Sequence, residues 1–334
     1  MIAPTRRQSA AREAIRRFLA DGAGTPGKSP IDWQGRCIDT QTSPVGWPIH
    51  RAQIAAELTA RVDGKNIPNQ METSYCGPAA FLYCLLHDRP DLYVAYAIGL
   101  WQHGHYDFAS GKTHMDVAGM RGMATEMRKL DAARKANPKI GRVSNLDWMT
   151  MASLSASTRP LRSIWGAPEP SDQGASVTYP QVLKGWFAAV GSRPVASSMG
   201  LGALKSNLSS FLDIARHWSS CWIVMQIDVS LLSNTGKDFF GGRHWVVMDP
   251  HHMPLVRRGA GGPVVPMGEA AADIWKAPAE ALENGQVFNG PHMRDWQTNM
   301  RLVSWGRETY PLAEQKLDRL VDRLYGAYAF PHIR

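Results

Sequence analysis

Residues 69–80 read Asn69-Gln70-Met71-Glu72-Thr73-Ser74-Tyr75-Cys76-Gly77-Pro78-Ala79-Ala80. This stretch decides the fold, because a polar loop ends at Cys76 and an apolar run follows it directly, as far as Leu86. Proline is tolerated in the first turn of a helix, and a run that is apolar on every side is typical of a helix buried in a core. We therefore predict a buried helix that begins at Cys76.

The start of such a helix is a favourable place for a nucleophilic cysteine. The positive end of the helix dipole stabilises the Cys76 thiolate, and Gly77 is expected to leave room for a substrate beside the sulfur. Gln70 lies six residues upstream, on the loop that leads into the helix. From there its amide can face the space where a carbonyl oxygen gains negative charge. The sequence thus predicts Cys76 as a nucleophile and Gln70 as an oxyanion-hole donor.

A distant histidine supplies the matching base. Two strands are predicted over residues 221–229 and 244–248, with a turn-rich loop between them. His244 opens the second strand and follows Gly241 and Gly242, so we expect it to be partly open to a cleft. A neutral imidazole there can take a proton from a thiol or form an ion pair with it. We therefore predict His244 as the general base.

The order of Gln70, Cys76 and a distant His244 resembles the papain-like cysteine peptidases, and most closely their bacterial C39-like branch. The resemblance covers roughly residues 65–310, and residues 178–187 look like the helix that such domains place ahead of their sheet. It implies an α+β fold, in which a helical lobe carries the cysteine at a helix N-terminus and an antiparallel sheet lobe carries the histidine. It also implies an acyl-enzyme formed on an amide carbonyl, followed by hydrolysis or transfer.

The third residue of the family's catalytic set, an Asn or Asp that orients the histidine, is not obvious in this sequence. Asp249 is the nearest candidate, although strand side chains alternate between faces and parity places it opposite His244. A bulge or turn at Pro250 is needed to bring its carboxylate around. Ser304-Trp305-Gly306 looks like the family's Trp-Gly segment, but Val303 stands where an Asn would precede it. We select Asp249 and keep three alternatives, which are Asp295, Asn299 and Ser304.

The rest of the chain divides into an arm and a large domain. Residues 1–64 are predicted to be an N-terminal helical arm, with helices near 6–20 and 49–62. Residues 65–334 form the predicted catalytic domain, with insertions at about 103–177 and 253–290. Methionines and other apolar residues recur at helical spacing over residues 115–136, which favours a core or lid helix.

Composition excludes several classes of protein. The chain has 334 residues, enough for a sizeable core, and contains no apolar run long enough for a membrane span. The net charge is +8, but the basic residues are scattered, which argues against a specific nucleic-acid partner. The four cysteines include no Cys-x-x-Cys pair, and His103 and His105 lack further ligands, so neither a metal nor another cofactor is predicted.

The biological expectation follows from the resemblance. The N-terminus lacks the apolar segment of a Sec signal peptide, and the domain resembles C39-like toxins among bacterial secretion-system effectors. We expect a papain-like cysteine protease that resides in the bacterial cytoplasm before export and then acts in a target cell. An acidic immunity protein is a possible partner beside the protein or peptide substrate. Three alternatives stay open: a deamidase or transglutaminase-type acyltransferase, a peptidoglycan amidase, and a non-catalytic binding module.

Overall fold

A computed structural model describes most of the chain and divides it into two compact units. The units are residues 1–191 together with 333–334, and residues 192–332. The described residues are 5–23, 41–71, 73–119, 123–136, 143–158, 178–199, 208–232, 243–259, 261–274, 296–311, 315–317, 320 and 323–334. Across these residues the fold is a mixed α+β arrangement of helices and antiparallel sheets.

The first unit is mainly helical. Its helices in the described residues are α1 (Arg6–Ala23), α2 (Arg51–Val62), α3 (Cys76–Asp88), α4 (Pro90–His103), α5 (Met123–Ala136), α6 (Asn145–Ser157) and α7 (Pro180–Ala189). A hairpin of β1 (His105–Ser110) and β2 (Thr113–Ala118) accompanies them. The predicted helix at Cys76 is confirmed, because α3 begins at that residue and is buried from Ala80 to Leu86.

The second unit is built on a six-stranded antiparallel sheet. Its strand order is β10-β9-β5-β4-β12-β3. These strands are β3 (Ala196–Ser197), β4 (Cys221–Asp228), β5 (Arg243–Met248), β9 (Arg301–Ser304), β10 (Arg307–Pro311) and β12 (Leu324–Pro331). The predicted strands over 221–229 and 244–248 are confirmed as β4 and β5, which pair with each other and place His244 opposite Ile227.

A smaller sheet and two helices complete the described part of the second unit. The smaller sheet has the order β11-β8-β6-β7. Its strands are β6 (Leu255–Arg257), β7 (Val264–Pro266), β8 (Gln297–Thr298) and β11 (Gln315–Lys316), and the helices are α8 (Leu208–Ala215) and α9 (Met267–Ile274). A continuous apolar core joins residues of β4, β5 and β12 to α8, and it includes Met225, Val246 and Phe211.

Several predicted segments can be compared with these elements. Helices near 6–20 and 49–62 are confirmed as α1 and α2, and both belong to the first compact unit. The helical interpretation of residues 115–136 is wrong at its start, because residues 113–118 form β2 and the helix begins only at Met123. Parts of the two predicted insertions, such as 159–177 and 275–290, lie outside the described residues. No helix in the described ranges is long and apolar enough to cross a membrane.

Candidate active site

Cys76 is the first residue of the buried helix α3, and its side chain is partly exposed. The preceding residue, Tyr75, makes no side-chain hydrogen bond to the helix end. The Tyr75 carbonyl accepts the Ala79 N–H at 2.9 Å, which fixes the first turn. Because the N–H groups of a first helical turn point past its end, their positive field acts on the Cys76 sulfur. Cys76 therefore combines partial exposure with a place at a helix N-terminus, where thiolates are in general stabilised.

The other described cysteines lie in different environments. Cys84, eight residues further along α3, is fully buried, and this burial raises the pKa of its thiol. Cys221 is buried at the start of β4, and burial raises its thiol pKa as well. A buried thiol with a raised pKa is a poor nucleophile, since the thiolate is the reactive form. Among the described cysteines, only Cys76 has the exposure that a nucleophile requires.

Gly77 has a different role from the one that the sequence predicts. A Cβ atom added at Gly77 would collide with the side chain of Thr178, which is buried. The space beside the Gly77 backbone is therefore filled by Thr178 and is not left for a substrate. Glycine at this position lets α3 approach Thr178, which lies two residues before the start of α7.

Gln70 lies in a tight, buried turn ahead of α3. Its carbonyl accepts two hydrogen bonds from Thr73, from the backbone N–H at 3.1 Å and from the hydroxyl at 2.7 Å. The next residue, Met71, has a φ of 49° and donates its N–H to Asn69 Oδ1 at 2.8 Å. Gln70 is buried, with 3% of its surface exposed. Its side-chain amide carries an N–H donor of the kind that stabilises an oxyanion.

His244 is held by a residue on the neighbouring strand. Its Nε2 lies 2.6 Å from Ser304 Oγ, and both side chains are buried. Strands β5 and β9 pair with Val247 opposite Val303, so one further step places Ser304 opposite Val246. Since Val246 and His244 share a face of β5, Ser304 is the diagonal neighbour of the imidazole. With Ser304 as the acceptor, Nε2 carries the proton and Nδ1 keeps its lone pair.

Trp305 covers this histidine. The indole stacks on the His244 ring, with centroids 4.8 Å apart and an angle of 26° between the planes. Trp305 and Gly306 form the turn between β9 and β10, with φ values of 46° and 70°. A two-residue hairpin turn with positive φ at both positions normally favours Asn-Gly, so a tryptophan there is strained. That conformation places the indole over the imidazole.

The surroundings of His244 favour its neutral form. Burial lowers the pKa of this histidine to about 4, from an ordinary value of 6.5. The imidazole is therefore uncharged at neutral pH, and with Ser304 as the hydrogen-bond acceptor it is Nδ1 that can accept a proton. A negative charge brought close to the ring would raise this pKa, because it favours the imidazolium.

Asp249, the residue selected by sequence to orient the histidine, is engaged elsewhere. It follows the end of β5, and its Oδ1 accepts the His251 N–H at 2.8 Å. Its own backbone N–H donates to Arg301, and its carbonyl accepts the Trp218 indole N–H. The hydrogen-bond partner of His244 is Ser304, one of the three alternatives. The Asp249 carboxylate does not turn toward this pair but accepts a hydrogen bond from the His251 backbone. A role of Asp249 in orienting His244 therefore stays a prediction without a supporting hydrogen bond.

Asn299, another of the alternatives, forms hydrogen bonds with residues other than His244. Asn299 donates to His252 Nε2 at 3.2 Å and accepts the Leu255 N–H at 2.7 Å. Asp295 lies outside the described residues, as do Gly241 and Gly242.

Backbone strain marks both candidate regions. Among the described residues, the only non-glycine residues with positive φ are Met71 and Trp305. The first follows Gln70 directly, and the second stacks on His244. Such conformations persist only where the surrounding structure fixes them, and they concentrate at functional sites. Gln70 and Cys76 belong to the first compact unit, and His244, Ser304 and Trp305 belong to the second.

The histidines considered for metal binding lie on two different elements. His103 ends α4 and His105 begins β1, and their ring centroids are 6.3 Å apart. The described ranges contain no group of three His, Cys, Asp or Glu side chains that could hold a metal ion.

Sequence reasoning found Ser304 only as an alternative and gave Trp305 no role in the site. The available signal was Trp305 before Gly306, which is an unusual pair for a tight hairpin turn. Comparisons with protein-family models, with curated proteins and with solved structures find no match for this chain.

Proposed function

We propose that the protein is a cysteine hydrolase of papain-like type that cleaves a peptide or amide bond. Cys76 is the nucleophile, His244 the base and Gln70 the oxyanion-hole donor. The observation that carries this proposal is the 2.6 Å hydrogen bond between His244 and Ser304 beneath the Trp305 ring. A base whose second nitrogen is fixed by a third group has the arrangement that activates a nucleophile.

The proposed reaction uses the neutral state of the histidine. The Cys76 thiol gives its proton to Nδ1 of His244, and the thiolate attacks the carbonyl carbon. The carbonyl oxygen gains negative charge, which the Gln70 amide stabilises. The imidazolium then protonates the leaving amine, and the acyl group stays on Cys76. Water, deprotonated by His244, releases the acid and restores the thiol. Ser304 keeps Nε2 protonated throughout, so that Nδ1 performs each proton transfer.

The reactivity of Cys76 tests this proposal without knowledge of the substrate. Iodoacetamide alkylates thiolates, and p-nitrophenyl acetate acylates them with release of p-nitrophenolate. We expect both reagents to modify Cys76 ahead of Cys84 and Cys221, as mapped by mass spectrometry of peptides. We also expect a His244→Gln variant to lose most of the acylation at neutral pH. An unreactive Cys76, or equal reactivity in the variant, would favour a binding module instead.

We further propose that this hydrolase acts as a bacterial effector, as the sequence resemblance implies. The test is growth of a bacterial host that expresses wild type or Cys76→Ala, with and without a periplasmic export signal. Arrest by wild type alone supports an effector that depends on Cys76, and the compartment of arrest separates cytoplasmic proteins from cell-wall peptides as substrates. Harmless expression of an enzyme that is active when purified would overturn this part of the proposal.

A further inference from the structure

A buried ion pair lies behind the Gln70 turn. Arg61 on α2 donates through Nη2 to Asp147 Oδ2 on α6, at 2.6 Å. The side chains are only 4% and 3% exposed. Charged residues are almost never this deeply buried unless they are paired, so the pair calls for a physical explanation.

Stability is a poor explanation for this pair. In the described structure Arg61 Nε and Nη1, and Asp147 Oδ1, have no hydrogen-bond partner. Burial of each ion costs several kcal/mol, and incomplete hydrogen bonding leaves much of that cost unrecovered. The desolvation is strong enough to raise the pKa of Asp147 to about 6, despite the nearby guanidinium. A pair of well-packed apolar side chains would serve the core equally well.

A third contact distinguishes the pair. The oxygen of Asp147 that binds Arg61 also accepts the backbone N–H of Asn69, at 3.2 Å. Asn69 in turn accepts the Met71 N–H through its side chain, which closes the turn around Gln70. The ion pair is therefore linked by consecutive hydrogen bonds to the strained turn that carries the oxyanion-hole candidate.

We propose that Asp147 is a positioning residue whose oxygen acceptor holds the Gln70 turn, and with it the Gln70 amide, in the geometry that stabilises the oxyanion, and that Arg61 pairs the buried charge of Asp147. The inference rests on the proposed function. Arg61 pairs the charge of the buried carboxylate, the carboxylate accepts the Asn69 N–H, and the Asx turn at Asn69 sets the backbone of Met71. A donor displaced by about 1 Å loses about 100-fold in rate, so a buried pair distant from the substrate can govern catalysis.

The test compares two reactions of the same sulfur. Acylation by p-nitrophenyl acetate passes through an oxyanion, whereas alkylation by iodoacetamide does not. The ratio of the two rates at Cys76 therefore measures oxyanion stabilisation and cancels changes in thiolate fraction. Gln70→Ala calibrates the ratio and is expected to lower it about 100-fold.

Two matched double variants then isolate the contribution of the hydrogen bond between the Asn69 N–H and Asp147. Both remove the ion pair, but R61M/D147N keeps an oxygen that can accept the Asn69 N–H, and R61M/D147L does not. We expect R61M/D147L to lower the ratio about 10- to 100-fold, and R61M/D147N to stay within about threefold of wild type. Adding Gln70→Ala to R61M/D147L should lower the ratio no further than Gln70→Ala alone.

Other outcomes overturn the inference. Equal ratios in the two double variants, or a parallel fall in both rates, would reduce the pair to a structural role. If R61M/D147L does not fold, hydrogen exchange at the Asn69 amide decides: protection in wild type and in R61M/D147N supports the anchor, and rapid exchange in wild type refutes it. Failure of the proposed function looks different, because Cys76 of the wild type would then react with neither reagent.

Discussion

The Gln70–Cys76 region and the His244 region each contain a non-glycine residue in a left-handed conformation, but they are held in opposite ways. The Gln70 turn is hydrogen-bonded to a charged group, since Asp147, 78 residues from Asn69 in the sequence, accepts the Asn69 N–H and is paired with Arg61. The His244 region depends on neutral groups, a serine hydroxyl and a stacked indole.

The difference corresponds to two chemical needs. A thiol nucleophile and an oxyanion donor work with negative charge, so partial exposure and an electrostatic anchor suit them. A base must begin neutral, which burial and an uncharged partner ensure. The first region should therefore respond to loss of the Asp147 acceptor and to packing at α3, and the second to changes in the histidine's partner and to pH.

The largest expected effect comes from the nucleophile. Cys76→Ala should lower the burst of p-nitrophenolate at least about 1000-fold, because the acyl-enzyme cannot form. The matched control is Cys84→Ala on the same helix, which removes a buried thiol and should leave the burst within about twofold of wild type. A burst that survives in Cys76→Ala would assign the chemistry to another residue.

The partner of the histidine gives the next effect. Ser304→Ala should slow acylation of Cys76 about 100-fold, because the imidazole loses the bond that fixes its orientation and tautomer. Asp249→Asn, the control, should change the rate less than about threefold, since Asp249 binds His251. Stopped-flow measurement of p-nitrophenolate release compares the two variants. The reverse ranking would restore Asp249 as the orienting residue.

Packing at the start of α3 provides a stability comparison. Gly77→Ala should lower the free energy of unfolding by about 2 kcal/mol, because the new methyl group meets Thr178. Gly185→Ala in α7 faces open space and should instead be neutral or stabilising by up to about 1 kcal/mol. Urea denaturation of both variants checks this. Equal stabilities would show that Thr178 can move away from α3.

The smallest expected effect is the pH dependence of the His244 region. The folded pKa of about 4 lies below the unfolded value of 6.5, so the unfolded chain binds the additional proton. The contribution of His244 to the free energy of unfolding is fully present above about pH 6.5 and falls as the pH decreases toward 4. Between about pH 7.5 and about pH 5.5 the wild type should lose about 1.3 kcal/mol more than His244→Gln does, in urea denaturation. Parallel losses would mean that His244 is not held neutral.

The sequence predicted those features that local pattern determines. The apolar run after Cys76 defined α3, and alternation of side chains placed Asp249 opposite His244, consistent with the separate hydrogen bonds of these two residues. Residues 115–118 were misassigned, because their helical spacing also fits a strand of a hairpin. Over so few residues, the spacing of apolar side chains does not distinguish the 3.6-residue period of a helix from the two-residue period of a strand.

The remaining features depend on contacts between distant residues. Ser304 meets His244 only through the register of β5 and β9, 60 residues apart in sequence. Asp147 occurs early in a helical segment, where an acidic residue normally indicates a solvated first turn, so its burial against Arg61 has no local signal. Register and buried pairing are tertiary properties, and no single segment encodes them.

The proposal that Cys76 and His244 work together as nucleophile and base is tested most directly with 1,3-dibromoacetone. Its two bromomethyl groups alkylate a thiolate and then a nearby imidazole nitrogen, with loss of two bromide ions. The account predicts one cross-linked peptide that joins Cys76 to His244 in wild type, and its absence in His244→Gln. A reagent attached to Cys76 alone, or joined to another nucleophile in wild type, would contradict it.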